Sequence, residues 1–213
     1  HRDENGVSNL PGGGAPRPPD APPRRIDVRG LTVRNLEFRY QDESRDLEIL
    51  APQVRTDLEY VEGEGARGPF AIGANLVVAF GERQVVVEPV DGIVTFDGSN
   101  LALENIRLKT AEASIAVNGE IPRVLDQSRL DLTLAGTVDL ERGASWAEPP
   151  MRVAGTATLE GTMTGPVGEF VLDSRLSSRD ATVGTATGVS IEAESRLTPE
   201  ALTVSKAVIR PAS

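Results

Sequence analysis

Side chains able to carry acid–base or nucleophilic chemistry are few in this sequence, and their spacing does not gather them. The one histidine of the 213-residue chain is His1, and cysteine is absent. Imidazole catalysis, a thiolate nucleophile and a Cys/His zinc centre therefore lack the residues to build them. Carboxylates are plentiful, with 32 Asp and Glu, and two of them on facing walls would be the requirement for glycoside hydrolysis. Glu37, Glu104, Asp131 and Asp139, however, alternate with apolar residues, a spacing that turns them to solvent on a strand. Asp91-Gly92 and Asp97-Gly98 lack the surrounding D-x-D-x-D-G loop or nonapeptide repeat of a calcium site. No glycine-rich loop joins a strand to a helix, so nucleotide binding has no support. Trp146, within SWAEPP, is expected to cap one open end of a sheet. The expectation is a protein that is not an enzyme and holds no cofactor or metal.

Composition narrows the partners. The net charge is -10 and the pI about 4.7, opposite to the Lys/Arg excess through which proteins displace counterions from nucleic acid. No run approaches the roughly 18–20 apolar residues of a membrane span. The sequence opens on His1 without a leader-like apolar stretch, and it is expected to be a segment of a longer protein.

The elements that position these side chains are strands. Residues 11–23, PGGGAPRPPDAPP, have no periodicity and too little apolar surface to offset the entropy of ordering, so 1–24 is expected to be a flexible tail or linker and 25–213 the folded part. From Ile26 onward apolar residues alternate with polar ones, most clearly at Leu130, Leu132 and Leu134. Period two predicts about a dozen half-buried strands. Asp91-Gly92, Asp97-Gly98, Asn118-Gly119 and Gly165-Pro166 carry turn chemistry and are expected to separate antiparallel strands. Only residues 139–147 have helical character, enough for a single turn before Pro149-Pro150. The fold class is all-β.

One pattern recurs. LTVRNLEFR (31–39), LALENIRLK (101–109) and LTVSKAVIR (202–210) place apolar residues at positions 1, 3, 6 and 8. Strict alternation gives 1, 3, 5, 7, so each segment contains one extra residue, which is what a β-bulge supplies. Kinks are predicted near Asn35, Asn105 and Lys206. Segment starts 70 and 101 residues apart argue against the short fixed coils of a tight parallel β-helix and favour a curving, antiparallel-rich sheet.

The stretch VDGIVTFDGSNLALENIRLKTAEASIAVNGEI (90–121), followed by LDLTLAGTVDLERGASW and MRVAGTATLEGTMTGPVGEF, resembles the TamB and AsmA-like family, the bridge-like lipid transfer proteins of the bacterial envelope. A strand ending in Phe-Asp-Gly, a bent leucine-rich strand, a strand closing on Asn118-Gly119 and a Gly-Pro before the next strand carry the likeness, which spans roughly 26–210. The resemblance implies an elongated, curled, taco-like β-groove in the periplasm. It also implies an inner-membrane anchoring helix and an outer-membrane barrel partner, neither of which has a counterpart in this sequence. The implied ligand is the acyl chain of a phospholipid.

Under that implication the apolar residues of the alternating stripes line the groove: Leu31, Val33, Leu36, Phe38, Leu76, Val78, Phe80, Leu101, Leu103, Ile106, Leu108, Ile115, Val117, Leu130, Leu132, Leu134, Leu159, Leu172, Ile191, Leu202 and Val204. With aromatic residues at 4%, the wall would be aliphatic and uniform. The same stripes would equally build a filled core, in which case the chain is a structural or adhesive β-rich envelope module.

Overall fold

Alternation at the level of the strand becomes segregation at the level of the sheet once partners are fixed by register. The computed structural model describes residues 29–42, 46–63, 65–81, 83–124, 128–147 and 151–211; the tail assigned to 1–24 and residues 25–28 lie outside them. Fourteen strands form one sheet. They are β1 (Gly30–Asp42), β2 (Leu47–Val61), β3 (Gly65–Ile72), β4 (Leu76–Phe80), β5 (Arg83–Val87), β6 (Val90–Phe96), β7 (Leu101–Lys109) and β8 (Ala113–Ile121). After them come β9 (Arg129–Asp139), β10 (Val153–Ala154), β11 (Thr156–Pro166), β12 (Val171–Val183), β13 (Ala186–Leu197) and β14 (Leu202–Pro211). Helix α1 (Leu140–Ala147) and a 3-10 turn at Val167–Glu169 complete the described elements.

The order across the sheet is β14-β13-β12-β11-β9-β8-β7-β6-β3-β2-β4-β5, with β1 on β2 and β10 on β12. Every pairing is antiparallel. Short connections permit this, because a hairpin needs only a few residues whereas a parallel pair needs a long crossover. Neither β1 nor β14 pairs with the other end, so the sheet is open and not a barrel. Its β2 strand is long enough to take two partners on one side, β3 along residues 54–61 and β4 along 47–50.

Three extra residues bend the sheet where the repeated pattern places them. In β1 the register slips between Val33 and Leu36, with Asn35 at φ +54°. In β7 it slips between Leu103 and Ile106 against β8, with Asn105 at φ +49°. In β14 the slip falls between Val204 and Lys206, opposite Ser195 and Glu194. Asparagine tolerates the left-handed conformation because its short amide bonds locally. The Asn105 backbone N–H in turn donates to Asn118 Oδ1 at 2.8 Å.

Two of the expected turns are strand interior. Asp91-Gly92 lies within β6 and Asn118-Gly119 within β8. Glycine there answers close backbone approach, not chain reversal. A Cβ on Gly92 would stand 2.5 Å from Ile106 Cδ1 and 2.9 Å from the Asn105 carbonyl, both at the β7 bulge. Gly119, at φ +132°, is pressed against the Asp131 carbonyl of β9. The break between β5 and β6 comes instead at Pro89, which has no N–H to give the ladder. Asp97-Gly98 is a turn, in which Asp97 Oδ1 accepts from the N–H groups of Ser99 (2.8 Å) and Asn100 (2.7 Å). Gly165-Pro166 ends β11.

The helix is eight residues, longer than a single turn. Asp139 caps it, with Oδ1 accepting from Glu141 N–H at 3.0 Å and Arg142 N–H at 3.1 Å. Its Leu140 is buried with Ala157, Ala181, Val183, Val189 and Ile191, so the helix closes one margin of the β9–β13 region. The backbone of Trp146 lies in α1; its side chain lies outside what is described.

The core sits on one face. A row of side chains runs Val54, Ile72 and Val90 across β2, β3 and β6, then Ile106, Val117 and Leu134 across β7, β8 and β9. Among the described residues there is no second sheet to cover this row, yet Val90 is 2% exposed, Val117 6% and Ile106 7%. A flat, uncovered sheet face leaves such side chains wet. The sheet curls, so that its apolar face is concave and its residues shelter one another.

Candidate functional site

The concave face is assembled by cross-strand partners, since residues directly opposite share a face. On β1, Leu31, Val33, Leu36 and Phe38 stand opposite Leu58, Thr56, Val54 and Ala51. On β7, Leu101, Leu103, Ile106 and Leu108 stand opposite Ile121, Gly119, Val117 and Ile115. Leu130, Leu132 and Leu134 of β9 meet Gly165, Met163 and Gly161 of β11. Leu159 meets Leu176, Leu172 meets Leu197, and Ile191 meets Ser178. On β14, Leu202 and Val204 face Leu197 and Ser195. Leu76 and Val78 of β4 pair with Val87 and Val85. Phe80 occupies the next position of that register on the backbone, opposite Leu47 and Arg83; its side chain lies outside what is described. Every residue expected on the apolar stripe, among those with described side chains, falls on this one face.

Their burial is not uniform. Ile106, Val117, Leu132, Leu134 and Ile191 are buried, at 9% exposure or less. Val33, Leu76, Val78, Leu101, Leu103, Leu108, Ile115, Leu130, Leu159 and Leu172 are half-buried. Leu31, Leu36 and Phe38 on β1 are 50–52% exposed, and Leu202 and Val204 on β14 are 49% and 54% exposed. The face is packed tight through the middle strands and open on the terminal strands.

Register also exposes a feature that single-strand periodicity misses. The row containing Leu134 continues through Gly161, Ser174 and Ser195 of β11, β12 and β13. Where earlier strands offer Val and Leu, these three offer small residues, and the Ser174 and Ser195 hydroxyls bond each other at 2.8 Å. Ala51, Leu58, Ile72, Val87, Val90 and Val94 are also buried in the apolar cluster, beyond the residues expected to line the face.

The opposite face is charged and pairs across strands. Arg67 of β3 reaches over Thr95 to grip Glu104 of β7 with both guanidinium nitrogens, Nη2 to Oε2 at 2.6 Å. Arg107 pairs with Asp91, Lys109 with Glu88 at 2.8 Å, and Arg196 with Asp173 at 2.7 Å. Hydrogen bonding to Arg67 holds the Glu104 carboxyl below the usual carboxylate range, and Arg196 does the same to Asp173. Asp97 is lowered by the backbone N–H groups of Asn100 and Ser99. Glu37, Asp131 and Asp139 are exposed. Among the described residues no group of three or more His, Cys, Asp or Glu is placed to hold a metal. No described helix is long and apolar enough to cross a membrane.

The geometry is thus a single curled sheet, charged outside and aliphatic inside. No family model matches the chain, and neither a curated protein nor a solved structure shows significant similarity to it.

Proposed function

We propose that this chain is a segment of a periplasmic, bridge-like lipid transport protein whose concave aliphatic face shields phospholipid acyl chains between inner and outer membranes. The role is non-enzymatic and serves outer-membrane biogenesis. One observation carries the reading: large aliphatic side chains continue along one face from β1 to β14, and Leu31, Leu36, Leu202 and Val204 on the two terminal strands remain about half exposed. A filled sandwich covers such residues with a second layer.

The energetics favour the reading. Shielding hydrocarbon recovers about 0.8 kcal/mol per methylene, so a tail of ~15 methylenes represents ~12 kcal/mol of otherwise wet surface. A wall of Leu, Val and Ile interacts almost equally with every position of a sliding tail. An open seam leaves the headgroup in water. The sequence resemblance to TamB and AsmA-like proteins supports the envelope location, the inner-membrane anchor and the barrel partner.

Phospholipid extracted from the purified chain and identified by native mass spectrometry is the expected result. Rigorous absence of bound lipid would favour the second reading, a structural or adhesive module, for which the tight packing around Val90 and Val94 speaks. A Leu103→Glu variant should either unfold or, if folded, carry less lipid than wild type; full lipid occupancy in a folded variant would count against the lining role.

A further inference from the structure

The convex face carries a second feature, whose floor is shared with Ser178 and Ile191 of the apolar side. In β12 the register against β13 advances three residues between Ser178 and Ala181 while β13 advances two, between Ile191 and Val189. An extra residue is therefore inserted at Arg179–Asp180. Bulges bend a strand and re-aim side chains, and here the charged face becomes locally hollow. The result is an open cup of about 730 Å³ lined from four strands: Thr158 and Glu160 of β11, Arg175, Ser177 and Arg179 of β12, Ser190 and Glu192 of β13, and Arg210 of β14.

Its charge balance is unusual for a protein of net charge -10. Three guanidinium groups face two carboxylates in the lining. Arg175 is engaged by Glu192 at 3.6 Å. Arg179 and Arg210 have no ion pair among the described residues, in contrast to Arg107, Arg196 and Lys109 on the same face. Hydroxyl groups complete the cup: Thr158 Oγ1 and Ser177 Oγ lie 2.7 Å apart, and Ser190 adds a third across the sheet. Arginine forks with hydroxyl donors recognise planar or tetrahedral oxyanions bidentately.

We propose that the β11–β14 cup binds a phosphate group through Arg179 and Arg210, with Ser177 and Ser190 as hydroxyl donors and Thr158 holding the Ser177 hydroxyl in place. Arg179 follows Arg175 and Ser177 on the same face and lies within the β12 bulge. The phosphate belongs either to a soluble ester or to an anionic lipid headgroup at a membrane surface, and the site does not depend on the groove reading.

The test is titration of the folded chain with inorganic phosphate at constant ionic strength, followed by amide NMR shifts and calorimetry. Saturable shifts confined to residues 175–180, 190–192 and 210 are expected, with each of Arg179→Gln and Arg210→Gln weakening binding about tenfold or more. The control is the Arg34→Gln/Arg55→Gln pair, which removes the same charge from β1 and β2. Equal weakening in the control, or shifts that never saturate, would overturn the site. Co-sedimentation with phosphatidylglycerol vesicles against phosphatidylcholine vesicles separates the sources. Selective sedimentation abolished by Arg179→Gln/Arg210→Gln assigns a lipid headgroup, and phosphate binding without sedimentation assigns a soluble ester.

Discussion

At the scale of the residue, position on the concave face sets the energetic weight of a side chain. Leu134 is 9% exposed and packs among Val117 and its neighbours, whereas Val204 keeps 54% of its surface in water. Leu134→Ala should therefore cost about 2–4 kcal/mol in urea unfolding, while Val204→Ala should stay within about 0.5 kcal/mol. Similar costs for both would contradict the graded burial. Charged residues matter less, because their pairs are exposed and screened. Glu104 and Asp173 nevertheless titrate below their unfolded values. A depressed folded pKa contributes stability above the unfolded carboxylate range, near pH 4, and loses it as pH falls through the folded value. A Glu104→Gln/Asp173→Asn variant should accordingly show a flatter decline of Tm between pH 5 and pH 3 than wild type.

At the scale of the element, bulges do the shaping. The repeated 1, 3, 6, 8 spacing locates the extra residue in β1, β7 and β14 from sequence alone, because an added residue must appear as a frame shift in the apolar stripe. Asn105→Gly should be nearly neutral and Asn105→Val should destabilise by about 1–2 kcal/mol, since a β-branched residue resists φ +49°. Thermal melts of the two variants would reveal the difference, and equal stability would mean that the bulge is not held in that conformation. Local signals fail where a partner strand decides. Gly92 and Gly119 look like turn residues until the neighbouring backbone is in place against them. The β12 bulge does shift the apolar stripe, from Leu172 and Leu176 to Ala181 and Val183, but the small Ser178 and Ala181 on either side of it make the shift faint, and the cup exists only once four strands are in register, so the cup is not legible in the sequence. The Gly161, Ser174 and Ser195 row is equally hidden, because it exists only across three registers.

At the scale of the whole molecule, periodicity specifies an all-β chain with one apolar face, and the structure realises it as a single open, curled sheet of fourteen strands. Segregation of the faces follows from alternation plus register, which is why the stripe residues were identifiable without knowing their partners. What alternation does not fix is how tightly the face closes on itself. The middle strands close it with Val90, Ile106, Val117 and Leu134; the terminal strands leave it open at Leu31, Phe38, Leu202 and Val204. On the proposed lipid-conduit reading, acyl chains would meet the protein first at the terminal strands and over the small-residue row of β11–β13, and passage through the middle would require its side chains to part.

The most direct test is site-specific photo-crosslinking in cells, with a photoreactive residue placed in turn at Phe38, Leu103, Leu172 and Leu202 on the concave face and at Thr133 and Thr162 on the convex face. The account predicts phospholipid adducts from the concave positions, strongest at Phe38 and Leu202, and none from Thr133 or Thr162. Equal labelling of both faces, or no lipid adduct from any concave position, would contradict it.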